Sequence, residues 1–284
     1  MIYQPMSPYP LLLFLVLGAS AFVVKEQLPD ERFLGSTDAS FGQFPAAAYI
    51  VSPERQICGA TVLNENHVLT LAQCVLNGTH NTINPRLVRV HAGVLNLGLV
   101  SASRQTRLGD VIYVHPNFKA HSLENDIAVI RVQEPFIFPS NEVEPALRRT
   151  RIVANGHSCL LAGWGAIVAG PVQDVNALQR YMALTINDRD MCSSLRRDMP
   201  VFENMICAGN MDNAPNGPAP CQGSLGSGLY CDGDLAGLLS FGINCGSLGN
   251  PPTFTQIRFY NQWIEQQFLR NDRPPPGFSP LDVA

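Results

Sequence analysis

Among the residues able to do chemistry, the cysteines carry the most information. They stand at Cys58, Cys74, Cys159, Cys192, Cys207, Cys221, Cys231 and Cys245. No two have the close Cys-x-x-Cys spacing that gathers thiolates around zinc, so no metal centre is expected. An even number suits pairing into disulfides with no thiol left over, although eight cysteines admit roughly a hundred pairings and counting cannot choose among them. Asn77-Gly78-Thr79 is the only Asn-x-Ser/Thr sequon, three residues past Cys74 in an expected surface loop, and marks Asn77 as a glycan acceptor. Arg148, Arg149 and Arg151 fall close together as a local cluster of positive charge, which is expected to be a solvated loop.

Disulfides require an oxidising compartment, and the amino terminus supplies the route to one. Leu11 to Leu17 is an unbroken apolar run followed by Gly18, Ala19, Ser20 and Ala21. That run is too short to span a bilayer, and the small residues suit a signal peptidase, so residues 1–21 are expected to be a signal peptide and the protein to be secreted. No later stretch is apolar for long enough to make a membrane helix, so no membrane partner is expected. With 46% hydrophobic and 15% charged residues the remainder can build a large core. A formal net charge of -4 offers no basic field for nucleic acid, heparin-type polyanions or anionic membrane.

The elements that must position any site are short strands. Ala60 to Leu63, His67 to Leu71, Leu87 to His91, Asp110 to Val114, Ile127 to Val132, Leu178 to Ile186, Leu235 to Phe241 and Thr253 to Ile257 are β-rich runs separated by Gly, Pro, Asn and Asp. Repeated strands of this length predict an all-β sandwich or barrel. One helix is expected at the end, where Tyr260, Trp263, Ile264, Gln267 and Phe268 recur at helical spacing from an Asn261 able to cap it. Residues 271–284, with Pro274-Pro275-Pro276-Gly277, are expected to be a disordered or extended tail.

Six segments then occur in a telling order: Phe41-Gly42-Gln43-Phe44-Pro45, Cys58-Gly59-Ala60-Thr61-Val62-Leu63, Leu69-Thr70-Leu71-Ala72-Gln73-Cys74, Asn125-Asp126-Ile127-Ala128-Val129, Ala162-Gly163-Trp164-Gly165 and Cys221-Gln222-Gly223-Ser224-Leu225-Gly226. Together they resemble the trypsin-like (chymotrypsin-fold) serine proteases from about Phe33 to Leu269. The resemblance implies two packed six-stranded antiparallel β-barrels with a cleft between them and a C-terminal α-helix, the protease domain covering residues 33–270. It also implies the pairs Cys58–Cys74, Cys159–Cys231, Cys192–Cys207 and Cys221–Cys245, which use every cysteine.

The family's chemistry needs a serine nucleophile, a histidine that takes its proton, an aspartate that orients the histidine, and backbone donors for the oxyanion. The histidine belongs directly before the cysteine of the third segment, where this chain has Gln73, a carboxamide with no usable basicity. His67 and His80 are anchored six and seven residues away by Cys74 and read as ordinary strand or loop residues. The nucleophile belongs in Gly-Asp-Ser-Gly-Gly, where Gly223-Ser224-Leu225-Gly226-Ser227 places Leu225. The Cys221 to Cys231 spacing keeps Ser224 and Ser227 off that position. Asp126 matches the triad aspartate and is expected to persist as a hydrogen-bond acceptor, with Gln73 a candidate donor. Gly223 and Leu225 would supply the oxyanion donors.

Activation and specificity are altered in the same comparison. Residues 22–32 form a short propeptide-like segment, and cleavage after Arg32 would free Phe33-Leu34-Gly35-Ser36, but the position of the aspartate that pairs with a freed amino terminus is Ser224. The pocket floor is Ala219, neutral and small, and Ser240-Phe241-Gly242 resembles the strand that binds a substrate backbone.

These replacements make the chain similar to the family's inactive members, such as azurocidin and the serine protease homologues of invertebrates. The expectation is therefore a non-enzymatic secreted protein without cofactor. It would bind a protein partner as a regulator, cofactor or decoy in an extracellular protease cascade or in innate immunity. The alternatives are a peptidase with a rearranged nucleophile at Ser224 or Ser227, and an inert secretory product. One consequence concerns the sequon: glycosidase treatment of the native protein should lower its mass by one N-linked glycan, and an unchanged mass would remove Asn77 from the list of modified residues.

Overall fold

The structure, a computed structural model, describes residues 33–34, 36–53, 57–138, 141–164, 178–195, 199–209, 219–220, 225–242 and 251–272. Two short strands, β1 (Phe33–Leu34) and β2 (Thr37–Asp38), come first. Six strands follow: β3 (Ala47–Val51), β4 (Cys58–Asn64), β5 (His67–Thr70), β6 (Arg89–Ala92), β7 (Gln105–Val114) and β8 (Ala128–Val132). They close into an antiparallel barrel in the order β3-β4-β5-β8-β7-β6, so no edge of that sheet is left unpaired. Burial alternates along β7, where Gly109, Val111 and Tyr113 are buried between more exposed neighbours, the period of two that a strand with one core face requires. β5, by contrast, is buried throughout. Its outer face is covered by the rest of the molecule.

The second half contains β9 (Ser158–Gly163), β10 (Arg180–Thr185), α1 (Arg189–Leu195), β11 (Met205–Cys207), β12 (Ala219–Pro220), β13 (Gly228–Cys231), β14 (Asp234–Phe241), β15 (Thr253–Gln256) and α2 (Asn261–Phe268). Its ladder runs β11-β15-β14-β13-β9-β10-β2, while β1 pairs with β12. The end of β10 meets the end of β11 through one antiparallel bridge, Ile186 to Ala208. Hydrogen bonds from Asn187 N to Cys207 O at 2.9 Å and from Gly209 N to Thr185 O at 2.9 Å flank that bridge. A second ring of six strands is thus joined by a single bridge where the first is joined by a full ladder. The protein is mostly β, with a chymotrypsin-like arrangement and a short C-terminal helix.

The eight runs expected as strands lie within or overlap β4, β5, β6, β7, β8, β10, β14 and β15. β3, β9 and β13 fall outside those runs: Ala47-Ala48 in β3, Leu161-Ala162-Gly163 in β9 and Gly228 in β13 dilute the local pattern, although Tyr49-Ile50-Val51 of β3 has a strand preference of its own. Two expectations are corrected. Asn261 does not cap α2: the cap position is Tyr260 with no side-chain hydrogen bond, and Asn261 Nδ2 instead donates to Arg149 O at 2.9 Å, tying the helix to the segment before β9. Arg148 and Arg149 are not free in solvent, since Arg148 pairs with Glu265 on α2 and Arg149 with Asp232 at 2.9 Å, their side chains under a fifth exposed. Of the three, Arg151 is exposed.

A continuous core joins the two halves. Val62, Val68, Leu69 and Ile130 of the closed barrel share one cluster with Ala162, Tyr230, Leu235 and Leu238 of the second half and Ile264 of α2. A close crossing of backbones lies beside it. A Cβ on Gly226, whose φ is +83°, would fall 2.2 Å from Gly59 O, and Gly59 N donates to Leu225 O at 2.7 Å. Only glycine satisfies both the positive φ and the contact. Gly226→Ala should therefore cost at least about 3 kcal/mol in denaturant unfolding, whereas Gly78→Ala, with no atom within 4 Å of the added carbon, should stay within about 0.5 kcal/mol of wild type. Equal effects would show that the crossing tolerates a side chain.

Candidate functional site

Three of the positions singled out in the sequence converge where the two halves meet. Gln73 sits on a 3-10 turn, Ala72–Cys74, that follows β5, and the turn is stapled to β4 by the Cys58–Cys74 disulfide with Cα atoms 6.2 Å apart. Asp126 lies just before β8 and is fully buried. The preceding Asn125 has φ +58°, a conformation asparagine tolerates, and Ile127 N closes a tight turn onto Asn125 O at 2.9 Å. The turn is gripped from the other half. Asn204 Nδ2 and Tyr260 Oη donate to Asn125 Oδ1 at 2.9 and 3.1 Å, and Thr255 Oγ1 donates to Asp126 O at 2.8 Å.

Donors surround the carboxylate. Gln73 N donates to Oδ1 at 3.0 Å, and Gln73 Nε2 and Ser240 Oγ donate to Oδ2 at 2.6 and 2.7 Å. Gln73 Nε2 also donates to Ser240 O at 2.9 Å. The carboxamide thus uses its two hydrogens to bridge a carboxylate of one half and a carbonyl of the other. Burial pushes the Asp126 carboxyl up to about 6, against the pull of hydrogen bonds from Gln73, Ser240 and Ala72.

Leu225 is half-buried, packs against the shared core, and is held through its carbonyl by Gly59. Ser227 is buried, and its hydroxyl faces Gly163: a Cβ there would fall 2.3 Å from Ser227 Oγ. Phe241 and Gly242 follow Ser240 and are half-buried. Ala219 pairs with Leu34 in the β1–β12 ladder. Disulfides also join Cys159 to Cys231 and Cys192 to Cys207, with Cα atoms 4.5 and 6.5 Å apart. Arg32, Gly223, Ser224 and the implied pair Cys221 and Cys245 lie outside the described residues, as do residues 1–21 and 273–284. Asn77 begins an exposed loop tip and its Oδ1 accepts from Thr79 N, Thr79 Oγ1 and Asn81 N at 3.0, 2.8 and 2.9 Å. His67 is a buried strand residue, and His80 lies on an exposed bend with φ +60°. Among the described residues no three His, Cys, Asp or Glu side chains group as metal ligands.

Sequence reasoning did not find Asn204, Thr255 or Tyr260, nor the hydroxyl of Ser240 as a donor to Asp126. Each acts across 79 to 135 residues of chain, and no local pattern announces a contact of that span.

Two antiparallel strand rings meeting at a buried aspartate, stapled by disulfides, define the class of chymotrypsin-like serine protease domains. Residues 33–264 match the family model Trypsin, and the chain belongs to that family. Among curated proteins it is 29% identical to trypsin-1 of Astacus astacus over 82% of this chain and 98% of the relative. It is 27% identical to trypsin of Sus scrofa over 85% and 98%, and 26% identical to anionic trypsin of Bos taurus over 93% and 99%.

The raised Asp126 pKa has a stability consequence of definite sign. The native carboxyl holds its proton to higher pH than an unfolded chain does, so its contribution is complete below about pH 4 and is lost as pH rises through about 6. Asp126→Asn cannot titrate. The stability of wild type relative to that variant should fall by about 3 kcal/mol between about pH 4 and about pH 7.5, beyond any constant offset. A difference that is flat or rises with pH would mean that the hydrogen bonds, and not burial, set this pKa.

Proposed function

We propose that this protein is a secreted, non-catalytic serine protease homologue that acts by binding another protein, as a regulator, cofactor or decoy in an extracellular protease cascade or in innate defence. The observation carrying this is the closure of Asp126 by Gln73. In the triad arrangement the group beside the aspartate must accept a proton from a nucleophile. Gln73 instead spends its amide hydrogens on Asp126 and Ser240, and Leu225, at the nucleophile position, offers no oxygen. Ser227, the described alternative nucleophile, has its hydroxyl turned to Gly163. Loss of the base or nucleophile of such a triad costs about 10⁶ in turnover, and what survives is about 10³ to 10⁴ over water. The disulfides fit an oxidising, extracellular setting. The net charge of -4 favours a protein partner over a polyanion.

The relatives named above are trypsins, and a peptidase reading stands against this one. A fluorophosphonate probe separates them: the pure protein should stay unlabelled under conditions that label trypsin stoichiometrically, and one labelled serine per chain would overturn the proposal. Rebuilding is informative in the other direction. Gln73→His with Leu225→Ser should hydrolyse peptide esters at least about a hundredfold more slowly than trypsin, because Ser224 still provides no carboxylate for a freed amino terminus and an unsupported site misses its geometry by more than about 0.5 Å. Adding Ser224→Asp, Phe33→Ile, Leu34→Val and cleavage after Arg32 should raise that rate by orders of magnitude. Trypsin-like turnover in the double variant alone would contradict the loss of the activation device.

A further inference from the structure

Between Glu65 and Asp110 the chain carries no acidic residue, and its charged side chains there are arginines, in a protein whose formal net charge is -4. The fold brings two of them to one face of the closed barrel. Arg89 is exposed on β6. His91, two residues on and so on the same face of that strand, stacks its ring 4.7 Å from that of Tyr49 on the paired strand β3. Arg104 precedes β7, and its Nη2 donates to Leu99 O and Leu97 O at 2.9 and 3.0 Å and to Asn96 O at 3.4 Å. Burial and the guanidiniums of Arg104 and Arg89 push the His91 ring down to about 4, which puts both cations within electrostatic reach of one side chain. Arg131, Arg148, Arg149 and Arg180 each pair with a carboxylate. Among the described residues neither Arg89 nor Arg104 does. Glu142 lies at the root of the loop beside Gly93 and Leu95 and is already engaged.

The loop between β6 and β7 is braced by these carbonyl contacts, and also by Gly98 N donating to Asn96 Oδ1 and Ser103 Oγ to Gly93 O, both at 2.9 Å. Its tip is nevertheless apolar and open to water, Leu99 being 59% and Val100 93% exposed. An ordered apolar tip beside cations that lack carboxylates is complementary to a surface that is both negative and apolar, and its order is already present before binding. A sulfated polysaccharide would meet the guanidiniums and leave the tip in water, whereas a protein segment covers both. We propose that Arg89, Arg104 and the Leu99-Val100 tip form the docking surface for an acidic protein segment with apolar side chains between its carboxylates. The carboxylates lie on the guanidiniums and the apolar groups on Leu99 and Val100. This names the chemistry of the partner that the binding reading above requires and rests on that reading, while using none of the residues around Asp126.

The probe is fluorescent acetyl-Glu-Glu-Leu-Glu-Glu-Leu-Glu-Glu-amide, titrated into the full-length protein beside the same peptide with Ser for Leu, the same with Lys for Glu, and a heparin oligosaccharide. The parent peptide should bind saturably, at least about fivefold tighter than either peptide control, and more weakly as ionic strength rises from about 0.05 to about 0.5 M. Arg89→Glu should weaken it about tenfold, and Leu99→Ser with Val100→Ser about tenfold. Arg151→Glu, at an exposed arginine before β9, should change it less than about twofold. No saturation, equal affinity for the Leu and Ser peptides, or equal losses at Arg89 and Arg151 would each overturn the proposal. Tighter binding of heparin than of the parent peptide would also overturn it, by making the face a polyanion site. The first two outcomes and the heparin comparison are read on the wild-type protein. A serine labelled by fluorophosphonate would remove the non-catalytic reading and leave these titrations unchanged, whereas an unlabelled protein that ignores the peptide would remove only this docking surface.

Discussion

A carboxylate sealed from water is the most demanding group in this molecule. Removing an ionised side chain from solvent costs several kcal/mol unless donors replace the lost hydration. Around Asp126 the donors come from both halves: Gln73 on the turn after β5, and Ser240 on β14. Its own carbonyl and the preceding Asn125 are held by Thr255, Asn204 and Tyr260. The turn that carries Asp126 is therefore shaped by residues 79 to 135 positions away, and the two rings cannot shift against one another without stranding this charge.

The same junction explains the demands on its surroundings. A core of Val, Leu and Ile side chains continues across it, which excludes water and raises the effective strength of every hydrogen bond to Asp126. Close approach of Gly59 and Gly226 lets the backbone around Leu225 lie directly on β4, next to the Cys58–Cys74 staple. Packing there leaves Leu225 half-buried against the core and turns Ser227 toward Gly163. At the two positions beside Asp126 that the sequence singles out stand an amide already engaged, Gln73, and a hydrocarbon, Leu225. The interior networks at this junction depend on Asp126, Ser240 and Asn204.

His67 illustrates how the surroundings of a strand position are set from outside its own strand. Its place on β5 follows from the hydrophobic pattern of the segment, while its tautomer follows from Asn64 and Asn66 in the adjoining turn. At the far end of α2, Phe268 returns to lie with its ring 4.8 Å from that of His67.

Much of the architecture was legible in the residues alone. Strand patterns, cysteines and six short motifs determined an all-β domain of the trypsin family, and the Asn-Asp-Ile-Ala and Gln-Cys motifs located Asp126 and Gln73, because such features are local and are read within a few residues of one another. What the chain's order could not convey was decided by packing. Strands β9 and β13, short and containing Ala or Gly, are held extended by pairing with each other. Asn261, a plausible cap by sequence, is drawn away to Arg149 O, and Arg148 and Arg149 find Glu265 and Asp232. Above all, the closure of Asp126 by Gln73 and Ser240 spans 53 and 114 residues, and only the meeting of two rings brings those donors to one carboxylate.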